Sequence, residues 1–150
     1  MNSKILMVCL GNICRSPLAE GILKSKVDPK KVYVDSAGTA GYHVGNMPDV
    51  RSIAVAQKYG IDIHQQKCRK FSTKDFTYFD VIYVMDKSNY EDIISQASSK
   101  EQQNKVKLLL SETNLSLQEV PDPYYDKEEG FEMVFSLIDQ ACNEIVKKTY

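Results

Sequence analysis

One stretch restricts what this chain can fold into more than any other: Cys9-Leu10-Gly11-Asn12-Ile13-Cys14-Arg15-Ser16, closed by Pro17. Lys4 to Val8, just ahead of it, are mostly apolar and partly branched, which predicts a short buried strand. Behind it Leu18, Ala19, Ile22 and Leu23 recur at helical spacing, with Pro17 suited to a first helical position and Ser16 to the cap before it. The expected order is strand, tight loop, helix. A loop that closes onto a helix N-terminus presents backbone N–H groups and the positive end of a dipole, and both favour an anion. Gly11 and Asn12 suit the positive φ values that turn successive N–H groups inward. Cys9 opens the loop and Arg15 closes it. A thiol placed there is favoured as the thiolate, and a guanidinium fork can grip two oxygens of one phosphate. The stretch reads as a nucleophile at the base of a phosphate cradle.

The rest of the chain alternates. A helix from Pro17 to about Val27 precedes a strand, Val32 to Asp35, and a loop from Ser36 to Pro48 that is rich in glycine. A second helix runs from about Asp49 to Lys58, with Gly60 placed to end it. Ser72 or Thr73 is expected to cap a short helical turn near Lys74 to Tyr78. Asp80 to Asp86 reads as a buried strand, and Ser88 as the cap of a helix from Asn89 to about Ala97. Lys105 to Leu110 reads as a further strand, residues 111–127 as loop with a rigid Pro121-Asp122-Pro123 break, and Phe131, Val134, Phe135, Ile138, Ala141, Cys142 and Ile145 as the apolar stripe of a last helix. Such alternation predicts an α/β domain, a parallel sheet with helices on both faces and ligands bound at the carboxyl ends of the strands, where Cys9 falls.

A chain of 150 residues, 43% hydrophobic and 26% charged, fits a single globular domain over residues 1–150. Its apolar runs are too short to span a bilayer, and Met1 to Lys4 lack the layout of a signal peptide, so a cytoplasmic protein without membrane partners is expected. Four cysteines without paired spacing, and two histidines 21 residues apart, argue against a disulfide framework or a metal site. Residues 1–75 carry 12 basic and 6 acidic side chains, a balance of +6, whereas residues 76–150 carry 7 and 14, a balance of −7. The cradle lies in the basic half, which favours a dianionic ligand, but the charge is too small and mixed for a nucleic-acid binder.

The run Cys9 to Pro17 resembles the active-site loop of the low-molecular-weight protein tyrosine phosphatases. Further echoes are Asp35-Ser36-Ala37-Gly38-Thr39, Phe79-Asp80-Val81-Ile82, Met85-Asp86 with Ser88-Asn89, and Asp122-Pro123-Tyr124-Tyr125. The resemblance covers nearly the whole chain and implies a three-layer sandwich with a four-stranded parallel sheet. It also implies hydrolysis of phosphotyrosine in a protein, or of a small aryl phosphate, through a phosphocysteine intermediate. Inorganic phosphate would then be product and inhibitor, and no cofactor or metal would be needed. It implies Cys9 as nucleophile and Arg15 as phosphate ligand, with Leu10, Gly11, Asn12, Ile13, Cys14 and Ser16 in the cradle. A thiolate displacing an aryl oxygen needs a proton for the leaving group; on the resemblance Asp122 supplies it. Tyr42 and Tyr124 would be the aromatic walls of the cleft, and Ser36 would support the loop together with Asn12 and Ser16. Cys14 would be the redox partner of Cys9 in a reversible disulfide.

The family's supporting histidine has no direct counterpart. Gln66 occupies its register, with His64 close by, and the sequence leaves open which of them completes the network. Three other readings share parts of the pattern: a protein arginine phosphatase, whose relatives tend to carry Thr at the position of Ile13; an arsenate reductase of the same fold, which needs two neighbouring redox cysteines where this chain has Cys68 and Cys142 far apart; and a non-catalytic phosphate-binding or phosphocarrier module.

Overall fold

The structure, a computed structural model, describes residues 3–124 and 127–149. Tyr125, the last residue of the Asp122 motif, lies outside the described residues, as do Met1, Asn2, Asp126 and Tyr150. Strand β1 (Ser3–Cys9) leads through the loop into α1 (Arg15–Lys26) and then β2 (Val32–Gly38). There follow α2 (Val50–Lys58), α3 (Asp75–Tyr78), β3 (Val81–Val84), α4 (Lys87–Ile94), α5 (Lys100–Asn104) and β4 (Val106–Leu108). A 3-10 turn (Leu109–Glu112) and the long α6 (Glu128–Thr149) complete the order. The four strands form one parallel sheet in the order β2-β1-β3-β4.

The period of two along β1 divides its side chains between two cores. Ile5, Met7 and Cys9 join α1, α2 and α6 on one face, while Leu6 and Val8 join Phe71, Phe76, Phe79 and Ile93 on the other. Helices cover both faces, so the sheet is the middle of three layers. All seven residues of the expected apolar stripe on α6 are buried in the first core. β1 neighbours β2 on one side and β3 on the other, so the chain reverses its winding beside β1. That reversal opens a crevice at the carboxyl end of β1, and Cys9 is its last residue.

Several local expectations are corrected. α1 begins at Arg15, with Cys14 at its cap and no side-chain cap bond; Ser16 lies within the first turn, buried, because its hydroxyl is engaged beneath the loop. Neither Ser72 nor Thr73 caps α3; the Asp75 carboxylate instead reaches back to the Ser72 N–H at 2.9 Å. Asp86, not Ser88, caps α4, accepting from the Asn89 N–H at 2.8 Å, and α4 stops at Ile94. The stretch expected as one strand from Lys105 to Leu110 is strand only to Leu108 and then tightens into the 3-10 turn. α5, capped by Ser99, was not expected: its residues Lys-Glu-Gln-Gln-Asn are all polar and none is buried, so no hydrophobic period marks it. The glycine stop is as expected. Gly60 adopts φ 79°, and its N–H and that of Ile61 close on the Gln57 and Ala56 carbonyls at the end of α2.

Candidate active site

The loop between β1 and α1 is held open by its carbonyls, which several other segments take up. The Cys9 and Leu10 carbonyls accept from the N–H groups of Thr39 and Ala40, both at 2.9 Å. The Asn12 carbonyl accepts from Cys68 Sγ at 2.7 Å, and that of Ile13 from the Asp49 N–H at 2.8 Å. The Cys14 carbonyl is reached at 3.4 Å by both the Leu18 N–H and Ser52 Oγ. In a trans peptide the N–H points opposite to the C=O. Carbonyls drawn outward therefore turn the N–H groups of Leu10, Gly11, Ile13, Cys14 and Arg15 to the opposite side, and a ring of such donors suits a tetrahedral anion.

Of the two residues expected at positive φ, only Asn12 is there, at 56°. Gly11 is close-set for another reason: a Cβ on it would stand 3.1 Å from His43 Cδ2, so a side chain there would need His43 to give way by a few tenths of an ångström. The left-handed backbone at Asn12 costs about 1–2 kcal/mol. Three side-chain bonds offset it. Asn12 Oδ1 accepts from the Arg69 N–H at 2.9 Å, while Nδ2 donates to Ser16 Oγ at 2.8 Å and Ser36 Oγ at 3.0 Å. Ser16 Oγ in turn lies 3.0 Å from Cys9 Sγ.

Arg15 is 2% exposed and held from behind. Its Nη1 donates to Asp86 Oδ2 at 2.7 Å and to the Val120 carbonyl at 2.9 Å, which aims the guanidinium. Its Nη2 stands 3.5 Å from Asp122 Oδ2. Burial works against the Arg15 charge, but Cys9, Asp86 and Asp122 outweigh it and hold the guanidinium above its ordinary pKa. The Asp122 side chain is 44% exposed, and its Oδ1 accepts from the Tyr124 N–H at 3.0 Å, within a loop stiffened by Pro121 and Pro123.

These groups meet in a cleft of about 350 Å³. Cys9, Gly11, Cys14 and Arg15 line it together with Leu10 and Ile13, while Tyr42 and His43 from the loop after β2, and Asp122 and Tyr124 from the loop before α6, complete the lining. The expected residues thus fall into two sets. Cys9, Leu10, Gly11, Ile13, Cys14, Arg15, Tyr42, Asp122 and Tyr124 line the cleft, and Asn12, Ser16 and Ser36 are buried beneath the loop. Burial first, then Asp49, Cys9 and Asp122, pushes the Cys14 thiol up to about 12. Burial and Cys9 push Cys68 to about 11, so both are neutral thiols near neutral pH.

Neither candidate for the missing histidine enters the network. His64 is exposed and pairs with Asp62, while Gln66 Nε2 donates to the Pro17 carbonyl at 3.0 Å. Ser36 Oγ donates instead to Glu20 Oε1 at 2.6 Å. Sequence reasoning missed Glu20, Asp86 and His43. Glu20 lies one helical turn from Ser16 and so shares its face, and Asp86 closes a buried strand beside β1; both signals were available. Among the described residues no group of three or more His, Cys, Asp or Glu side chains is gathered as metal ligands would be.

A model described as low molecular weight phosphotyrosine protein phosphatase matches residues 4–149. The mouse protein named low molecular weight phosphotyrosine protein phosphatase is 38% identical over 154 aligned positions, covering 99% of this chain and 97% of its own. A solved protein tyrosine phosphatase of Entamoeba histolytica superposes with a TM-score of 0.92 at 36% identity, covering 98% of this chain and 96% of that one. The Drosophila arginine phosphatase superposes with a TM-score of 0.90 at 32% identity, covering 97% and 96%.

The grip on Arg15 yields a first expectation. Asp86→Ala removes a helix cap and one of the two acceptors behind a buried guanidinium, and should lower stability by about 2–4 kcal/mol in urea denaturation. A loss below about 1 kcal/mol would mean that the Val120 carbonyl holds Arg15 unaided.

Proposed function

The chain belongs to the low molecular weight phosphotyrosine protein phosphatase family, and we propose that it hydrolyses phosphotyrosine, in a protein or a small aryl phosphate, through a phosphocysteine intermediate. The observation that carries this reading is Cys9 in the floor of a cleft beside Arg15, with the Asp122 carboxyl 3.5 Å from Arg15 Nη2. Residues 1–150 are taken as one catalytic domain.

In this mechanism the phosphate dianion seats on the inward N–H groups of the loop and on Arg15, which supply the positive charge. The Cys9 thiolate attacks phosphorus in line, forming the S–P bond as the P–O bond to the tyrosyl oxygen breaks. Asp122 gives its proton to the departing oxygen, which leaves as neutral phenol. The resulting carboxylate then takes a proton from water. That water displaces the Cys9 sulfur and inorganic phosphate forms, a product that also competes for the cradle. The Ser16 hydroxyl stabilises the returning thiolate. Tyr42 and Tyr124 flank the aromatic ring of the substrate, and stacking of this kind contributes about 0.5–1.5 kcal/mol per pair. Four free cysteines suit the reducing cytoplasm as the site of action.

The Drosophila structure makes phosphoarginine the substrate to compare against. Ile13 favours the aryl substrate, because its branched side chain lines the cleft with apolar surface and offers no hydrogen bond to a guanidinium nitrogen. Cys14 is proposed as the redox partner of Cys9. Peroxide oxidises the Cys9 thiolate to sulfenic acid, and the Cys14 sulfur then displaces its oxygen as water to leave a Cys9–Cys14 disulfide.

Phosphotyrosine peptides should be cleaved much faster than phosphoarginine, with Ile13→Thr narrowing the gap; faster release of phosphate from phosphoarginine by the native protein would overturn the substrate class. Asp122→Ala should slow turnover by about 10²–10⁴-fold on phenyl phosphates with poor leaving groups and far less on good ones. An equal loss on both would make Asp122 a structural residue. After peroxide treatment, dithiothreitol should restore most activity to the native enzyme and much less to Cys14→Ser, and equal recovery would remove Cys14 from the switch.

A further inference from the structure

A directed chain of hydrogen bonds runs beneath the loop. The Arg69 N–H donates to Asn12 Oδ1, which fixes the amide so that its nitrogen faces the two serines. Ser36 Oγ accepts one Asn12 hydrogen and passes its own to Glu20 Oε1 at 2.6 Å. A carboxylate only accepts, so this last bond cannot reverse. At the other end Ser16 Oγ has accepted the second Asn12 hydrogen. Its own hydrogen has Cys9 Sγ at 3.0 Å and the Ala37 carbonyl, more distant, at 3.4 Å.

We propose that Glu20 is a positioning residue for the nucleophile: by taking the Ser36 hydrogen it turns the Ser36 lone pair onto Asn12, and so keeps Asn12 and Ser16 aimed at the Cys9 sulfur. The inference rests on Cys9 being the reactive thiol. Glu20 is 5% exposed, and its second oxygen is paired at 2.6 Å with Lys24 Nζ on the solvent side. An ordinary i,i+4 helix pair would contribute only a few tenths of a kcal/mol and would leave the glutamate in water. Here the glutamate is drawn inward onto a buried hydroxyl. An acceptor at the end of such a chain sets the direction of every bond that leads to it. Without Glu20 the Ser36 hydroxyl has lost its acceptor and is free to rotate, and the left-handed Asn12 loses one of the bonds that offset its strain.

The test separates the acceptor from the charge. Glu20→Gln keeps an oxygen for Ser36, whereas Glu20→Leu does not, and Ser36→Ala removes the middle link while leaving Glu20 in place. The readouts are the rate of iodoacetamide alkylation of Cys9 near neutral pH, where Cys14 and Cys68 are neutral thiols, and kcat and KM on a phenyl phosphate. Glu20→Leu and Ser36→Ala should each slow alkylation and lower kcat by about tenfold with KM little changed. Their double variant should be no slower than the worse single one, since both break one chain. Glu20→Gln should stay within about threefold of native. Alkylation at the native rate in Glu20→Leu or Ser36→Ala, losses that multiply in the double variant, or Glu20→Gln falling as far as Glu20→Leu would each overturn the proposal. Should Glu20→Leu fail to fold, Ser36→Ala and Glu20→Gln still decide it. If the native protein turned over no phenyl phosphate, the phosphatase reading would fall, while the alkylation rates would still judge Glu20.

Discussion

The site depends on one residue held in a conformation that its own backbone resists. Asn12 turns the loop through left-handed space, and it is the only non-glycine residue among those described to do so. The turn persists because the Asn12 amide is satisfied on both sides, by the Arg69 N–H and by two buried serines. The bonds that offset the strain are also the bonds that reach the Cys9 sulfur through Ser16. Backbone shape and the setting of Cys9 are therefore one arrangement.

A second constraint is electrostatic. Arg15 is almost fully buried, and a guanidinium there needs partners. Asp86 and the Val120 carbonyl meet it from the side away from the cleft, leaving Nη2 toward Asp122. Asp86 also caps α4, and the Val120 N–H bonds to the Met85 carbonyl just past β3. The aim of Arg15 is thus tied to the sheet, while Asp122 sits on a loop stiffened by prolines.

The strand before the loop, the helix after it and the stripe on α6 were legible in the sequence, because hydrophobic period and glycine placement are local signals. Cys9, Arg15 and Asp122 were legible through their motifs, and the structure brings all three to one cleft. Capping was read less well. Ser16 and Ser88 look like caps in one dimension, yet Ser16 is drawn beneath the loop, and the cap of α4 falls two residues before Ser88, at Asp86, which accepts from the Asn89 N–H. Glu20 escaped because a glutamate among apolar helix residues looks like a solvated position, although its place one turn from Ser16 puts it on the buried face where Ser36, 16 residues away, meets it. α5 escaped because nothing in it is buried.

The outward carbonyls of the loop have a consequence for when the ring of donors comes into being. Their partners come from Thr39 and Ala40, from Asp49 and Ser52, and from Cys68, which is 56 residues from Asn12. Contacts so far apart in sequence form only after the entropy of closing long loops has been met. A chain still leaving the ribosome, or one locally unfolded, has Cys9 but lacks the ring of donors around it. The cradle around Cys9 is therefore a property of the completed fold, and an unfinished chain carries the cysteine without it.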